Sequence, residues 1–227
     1  VYNAAYNFVQ FWDGRAGTLA EQAAGPPLNP VEMACESFDQ IIDKLAGDKD
    51  FVSAFNEVYA DGLSEKNITD AIQEFEKTLL TPNSRFDRYL KGQKDAITEN
   101  EIAGYELFKK YDCATCHVGE ILGGKSYELI GVQHDYFADR QAEMTEEDNG
   151  RFKQTQIERD RHRFKVPGLR NIELTAPYFH DGSMATMDDA VRAMAKYQLG
   201  IDLPQQEVDK IVAFLRTLTG EYKGQLL

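Results

Sequence analysis

A capped helix that runs straight into two cysteines and a histidine sets the strongest limit on what this chain can become. The stretch "TENEIAGYELFKKYDCATCH" opens on Thr98 with Glu101 three residues later, a capping box that marks a helix start. It closes on Cys113, Cys116 and His117, the pattern C-x-x-C-H. Two thiols held that near an imidazole suit three chemistries: a redox dithiol, half of a zinc site, or covalent attachment of haem. Structural zinc takes four ligands, usually from a second cysteine or histidine pair. The chain has no second such pair, and its third cysteine, Cys35, stands alone. A thioredoxin-like dithiol expects a βαβ setting, so the remaining periodicity decides.

That periodicity is helical throughout. "SFDQIIDKLAGDKDFVSAFNEVY" places Phe38, Ile41, Ile42 and Leu45 at helical spacing behind Ser37 as N-cap. "SEKNITDAIQEFEKTLL" repeats the pattern with Ile68, Ala71, Ile72, Phe75 and Leu79, and "TPNS" stops it. A further helix starts at Thr186, and a last one runs from Pro204 to Gly220, with proline at the start and glycine past the end. No stretch shows strand alternation, so the expected class is all-α. Two helices are spaced alike: "ITDAIQEFEKTLLT" and "EVDKIVAFLRTLTG" match Ile68 with Val208, Ala71 with Ile211, Ile72 with Val212 and Phe75 with Leu215. With the cysteine motif between them, this hints at two similar domains, each ending on the same helix. Residues 123–165 and the "AGPPLNP" loop at 24–30 read as irregular, and long irregular stretches usually serve function or wrap a cofactor.

In an all-α chain the dithiol reading falls away, and C-x-x-C-H reads as a c-type haem attachment pattern. Both thiols would form thioethers with the vinyl groups, and His117 would reach the iron from one face. An electron-carrying haem takes a second axial ligand, and Met/His ligation raises its potential. Met144, Met184, Met187, Met194, His134, His162 and His180 are all candidates by position. Met194 sits in the helix before the closing one, but spacing alone does not choose between it and His180.

The remaining composition excludes more than it assigns. At 227 residues the chain makes one large domain or two small ones. A net charge of −13 argues against nucleic acid; it favours a basic protein partner, or merely keeps the chain soluble. No apolar run reaches the roughly 18 residues a membrane span needs. "VYNAAYNFVQFWDG" lacks the features of a signal peptide, and its abrupt start leads us to expect further sequence upstream. Three cysteines are too few for a disulfide scaffold, so Cys35 is expected to be a buried free thiol.

Longer stretches carry a resemblance. "GYELFKKYDCATCH" followed by "IVAFLRTL" resembles the class I cytochrome c fold, in which these two helices cross and Gly104 would permit their close approach. "YNFVQFWDGRA", "EQAAGPPLNPVEM", "FKVPGLRNIELTAPYFHDGSM" and "YQLG" together resemble the bacterial dihaem cytochrome c peroxidases, and the likeness covers essentially the whole chain. It implies two class I cytochrome c-like domains, the first incomplete at its N-terminus. Residues 1–82 would be the remainder of the N-terminal, peroxidatic domain. Residues 83–227 would be the C-terminal, electron-transferring domain, its last residues being candidates to pack back on the first. A second haem c motif and its distal histidine would lie upstream of Val1.

The resemblance also implies roles. Cys113 and Cys116 would hold the electron-transferring haem c, with His117 proximal and Met194 distal. Trp12 would lie between the two haems as an electron relay, and Gln22 and Glu32 would belong to the peroxide pocket, Glu32 as acid–base group. Backbone carbonyls of Thr175 and Pro177 would help hold a calcium ion. His180 would be a structural or supporting group. The implied reaction is reduction of hydrogen peroxide to water by a periplasmic homodimer. A small c-type cytochrome or a blue-copper protein would supply the electrons, with no nucleic acid and no membrane span involved. Two other readings stay open: a single-haem electron carrier, and the related branch that oxidises tryptophans during maturation of methylamine dehydrogenase. In that branch a tyrosine replaces the distal methionine, so Met194 speaks against it.

Overall fold

Side-chain caps start the long helices where the sequence offers Ser, Thr or Asp. In the computed structural model, which describes residues 1–227, the Ser37, Ser64, Thr98 and Thr186 side chains each accept a backbone N–H two or three positions into the following helix. The chain divides into two compact units: Val1–Ala5 with Ala16–Leu79, and Tyr6–Arg15 with Leu80–Leu227. The sequence reading put its boundary after residue 82. In the structure the change of unit follows Leu79, and the segment carrying Trp12 groups with the C-terminal unit.

The first unit holds α1 (Leu19–Ala23), α2 (Gly25–Leu28), α3 (Phe38–Ala46), α4 (Lys49–Val58) and α5 (Glu65–Lys77). The stretch from Ser37 to Tyr59 forms two helices, because the Asp48 side chain caps a new start by accepting from Asp50 and Phe51 N–H. Phe38, Phe55 and Ile68 form the core, with Phe55 stacked on Tyr59 at 4.7 Å. Cys35 is free but only half-buried, with Lys44 Nζ 3.8 Å from its sulfur. This corrects the expectation of a buried thiol: a chain turn ahead of α3 does not enclose it.

The second unit holds α6 (Arg85–Leu90), α7 (Glu99–Lys110), α8 (Cys113–Cys116), β1 (Tyr127–Leu129), α9 (Tyr136–Asp139), α10 (Phe152–Thr155), β2 (Arg163–Lys165), α11 (Met187–Met194), α12 (Gln205–Arg216), β3 (Glu221–Tyr222) and β4 (Gln225–Leu226). Helices α7 and α12 cross closely: a Cβ on Gly104 would sit 1.9 Å from the Lys210 carbonyl oxygen, so only glycine fits. Phe214, fully buried, meets Phe86, Tyr105 and Phe108 at ring distances of 5.1, 5.2 and 5.3 Å. Each aromatic pair adds about 0.5–1.5 kcal/mol beyond area burial.

The all-α expectation needs a small correction. The fold is mostly helical, with two antiparallel ribbons: β1–β2, in register Tyr127↔Lys165, and β3–β4. Strands of two or three residues are too short for period-two alternation to register in sequence. The ribbon β1–β2 also joins the two ends of the stretch 123–165 that reads as irregular.

Candidate haem site and its aromatic flank

Helix α7 delivers the cysteine motif. Asp112 takes the left-handed conformation, φ 53°, and turns the chain into the one-turn helix α8. Positions i and i+3 of a helix lie on one side, so the Cys113 and Cys116 side chains share a face. Both thiols are free and half-buried. Burial pushes the Cys113 thiol up to about 11 and raises that of Cys116 as well. Protonated thiols are poor nucleophiles, which counts against a reactive dithiol.

His117 closes α8, and a tight loop fixes its ring. Leu122, Gly123 and Gly124 all have positive φ. Gly123 is required there, since a Cβ would lie 2.1 Å from the Pro167 carbonyl oxygen. The turn presents the Leu122 carbonyl to His117 Nδ1 at 3.0 Å. Carbonyls only accept, so Nδ1 carries the proton and Nε2 keeps a lone pair. Desolvation lowers the His117 pKa and favours the neutral ring. A neutral imidazole oriented through its other nitrogen is the form that ligates a metal. Two thiols on one face and one committed imidazole form a donor set that fits haem c.

The other axial candidates separate by environment. Met187 is buried in the core and Met184 packs against it, while Met144 is exposed. His162 donates from Nδ1 to the Asp148 carbonyl at 2.7 Å, and His180 donates from Nε2 to Asp148 Oδ1 at 2.8 Å. His134 is exposed. Met194 is half-buried and lies outside the core cluster, at the point where α11 passes into a π-turn over Ala195–Leu199. Such turns often mark functional sites.

Trp12 is 37% exposed and edge-on to Phe164 and His180 at 6.4 and 6.5 Å. His180 itself stacks on Phe164 at 4.2 Å. Beneath this flank lies a charged cluster that sequence reasoning missed. Asp148, fully buried, takes two bonds from Arg140 at 2.7 and 2.6 Å, one from Thr145 N–H at 2.7 Å and one from His180. Arg140 also reaches Asp181 at 2.8 Å. The Arg140 guanidinium, ahead of the other hydrogen bonds, holds the Asp148 carboxyl far below its usual range. Asp148, His180 and Asp181 come near enough to hold a metal ion, but Arg140 already supplies the cation. A Thr145-x-x-Asp148 capping box was the one readable signal.

The remaining predicted residues are dispersed. Gln22 is half-buried in α1, and Glu32 is exposed on the loop after α2, its backbone N–H bonded to the Asn29 carbonyl. Both belong to the first unit. Thr175 and Pro177 are exposed in the second, in the turn before Tyr178.

Comparison with known proteins finds relatives along nearly the whole chain. Residues 1–95 match the family model of di-haem cytochrome c peroxidase. The chain is 55% identical over 222 residues to cytochrome c peroxidase Ccp of Escherichia coli, covering 98% of this chain and 47% of that protein. It is 48% identical over 223 residues to cytochrome c551 peroxidase of Nitrosomonas europaea, covering 97% and 64%. A crystal structure of a MauG-like protein associated with microbial copper homeostasis superimposes with a TM-score of 0.80 at 27% identity, over 95% of this chain and 73% of that one. The chain thus spans less than two thirds of either of these two peroxidases. Over nearly its whole length the chain is similar to the di-haem cytochrome c peroxidases, and its first 95 residues match that family's model.

Proposed function

We propose that this chain is the part of a dihaem peroxidase that receives electrons and passes them toward peroxide. The observation that carries the reading is the His117 imidazole, fixed through Nδ1 to Leu122 with Nε2 uncommitted, beside two free thiols on one face of α8. Cys113 and Cys116 would hold haem c through thioethers, and His117 would supply a nitrogen ligand to its iron. Met194 would supply the second protein ligand; its half-buried place outside the core cluster, where α11 passes into the π-turn, supports that choice. When bound, haem supplies one-electron iron chemistry. A second haem c, where peroxide is reduced, lies outside this chain.

Within the chain the residues have separate tasks. The Leu122 carbonyl holds the His117 ring through Nδ1, so that Nε2 stays available as a ligand. Trp12, edge-on to Phe164, provides an aromatic path for electrons leaving that site. Glu32 moves a proton between the two peroxide oxygens, and Gln22 orients them by hydrogen bonding. Hydrogen peroxide, two electrons and two protons then give two waters. The Thr175 and Pro177 carbonyls contribute oxygen ligands to calcium, which takes six to eight; no backbone hydrogen bond ends on either one. A small c-type cytochrome or blue-copper protein supplies the electrons, steered by the acidic surface. The setting is periplasmic, where haem c proteins mature, and the assembly is a homodimer.

Steady-state turnover of hydrogen peroxide by the complete protein tests this reading. Positioned acid–base groups contribute on the order of 10²–10⁴-fold, so Glu32→Gln should lose that factor while both haems load. A Glu32→Gln enzyme within about threefold of wild type would overturn the role, being below that range. Absence of peroxide turnover in the wild type would leave an electron carrier or a tryptophan-oxidising enzyme in its place.

A further inference from the structure

The Trp12 indole is 37% exposed and meets Phe164 and His180 edge-on at 6.4 and 6.5 Å. Edge contacts of this kind are modest. A half-exposed ring keeps its place only if the chain beneath it is held. That chain is held at four successive residues, Phe11 to Gly14. Phe11 takes the left-handed conformation, φ 65°, which a bulky side chain adopts only where its surroundings impose it. The Arg15 guanidinium lies over its ring at 3.5 Å. The Trp12 carbonyl accepts from Lys165 N–H at 2.8 Å. Asp13 is buried, and its carboxylate accepts from Gln154 Nε2 at 2.9 Å and from Arg15 Nη1 at 3.0 Å. The Asp13 and Gly14 carbonyls both accept from Arg151 Nη1, at 3.2 and 3.1 Å. Gly14 has φ 68°, and a Cβ there would collide with the Tyr127 hydroxyl, so only glycine fits.

The grip comes from one place. Arg151 stands at the start of α10, and Gln154 lies three positions on, on the same side of the helix. Arg151 N–H donates to the Arg163 carbonyl at 2.7 Å, and Gly150 before it packs too closely on that carbonyl to admit a Cβ. The Arg151 guanidinium also lies over the Tyr127 ring at 4.8 Å. Tyr127 and Arg163 belong to the two strands of one ribbon. Strands β1 and β2 and helix α10 thus form the seat on which residues 11–14 rest, all within the second unit.

We propose that Arg151, assisted by Gln154, is a positioning residue for electron transfer: it holds Phe11 to Gly14 so that the Trp12 indole keeps its place beside Phe164 and His180. This rests on the relay role proposed for Trp12 above. Electron transfer through an intervening ring depends steeply on the ring's distance and orientation. A ring on a loosened segment spends part of its time in weakly coupled positions, and a functional group keeps its geometry only when the residues supporting it are themselves fixed.

The test is single-turnover transfer of electrons from the Cys113/Cys116 haem to the second haem in the complete, haem-loaded protein, followed by stopped-flow absorbance. Arg151→Gln should slow it on the order of tenfold, as for residues coupled in one hydrogen-bonded network, with both haem spectra unchanged. In a Trp12→Leu background the same substitution should add no further slowing, because the ring it positions is gone. One nitrogen makes both carbonyl bonds, so Arg151→Lys should recover most of the rate. Hydrogen exchange gives a readout independent of turnover: the Lys165 amide, which donates to the Trp12 carbonyl, should exchange faster in Arg151→Gln. If Arg151→Gln fails to fold, Gln154→Met removes the Asp13 bond alone and is read in the same way. A wild-type rate in Arg151→Gln overturns the proposal, as does equal slowing in the Trp12→Leu background. So does an unchanged Lys165 exchange rate, since the segment would then be held by other means. A wild-type rate in Trp12→Leu overturns the relay itself, and the proposal with it.

Discussion

Helices α5 and α12 are spaced alike in sequence and differ in what they bury. Helix α12 buries Val208, Ile211, Val212, Phe214 and Leu215. Helix α5 buries Ile68 but leaves Phe75 60% exposed, and two of its other buried residues, Asn67 and Glu76, carry amide or carboxyl groups. The difference lies in the crossing partner. In the second unit, α7 presents Gly104 against the α12 backbone and locks both helices into an aromatic core. In the first unit α5 is lined by the short α1, tied on by the Ala20 N–H to Gln73 Oε1 bond at 3.2 Å. An amphipathic pattern specifies a helix and its inner face; the depth of burial depends on the residues that meet that face.

Buried acids sharpen the contrast. Asp148 in the second unit has every oxygen bonded, while Glu76 in the first has a buried oxygen with no partner. Their pKa values move in opposite directions. The Asp148 value is depressed, chiefly by hydrogen bonding to Arg140. Its stabilisation is complete above the unfolded value of about 3.9 and is lost as pH falls toward the folded one. The Glu76 value is raised by desolvation. Its contribution is present below the unfolded value of about 4.3 and is lost as pH rises through the folded one.

The largest expected effect is therefore at Asp148. Asp148→Ala leaves Arg140 and His180 without their shared acceptor and should cost about 3–5 kcal/mol. Chemical denaturation should show the loss at neutral pH and a flattened acid limb. Next is Gly104→Val, which drives methyl groups into the Lys210 backbone and should cost about 3 kcal/mol, the upper end for overpacking. Thermal unfolding of the second unit would report it. Glu76→Gln should act in the opposite sense, stabilising the protein at neutral pH by on the order of 1 kcal/mol and leaving acid stability unchanged. Smallest is Phe75→Ala, within about 0.5 kcal/mol as for an exposed site. A cost of several kcal/mol at Phe75 would show that α5 is packed as α12 is.

Much of this was legible in the sequence where the signal is local. Ser37, Ser64, Thr98 and Thr186 mark helix starts because a cap is decided within four residues. Cys113, Cys116 and His117 declare their chemistry because the motif spans five. Arg140, Asp148 and His180 were not legible as a unit: Arg140 and Asp148 lie in a charged stretch that reads as solvated surface, His180 lies 32 residues beyond Asp148, and tertiary structure alone brings them together. The β1–β2 pairing was missed for the same reason.

The central claim is that α8 and His117 form a covalent haem c site. Intact mass spectrometry under denaturing conditions tests it most directly, on this chain produced together with a haem c maturation system. The account predicts the mass of the polypeptide plus one haem, with the addition lost in Cys113→Ala/Cys116→Ala. An unmodified mass, with both thiols free to alkylation, would contradict it.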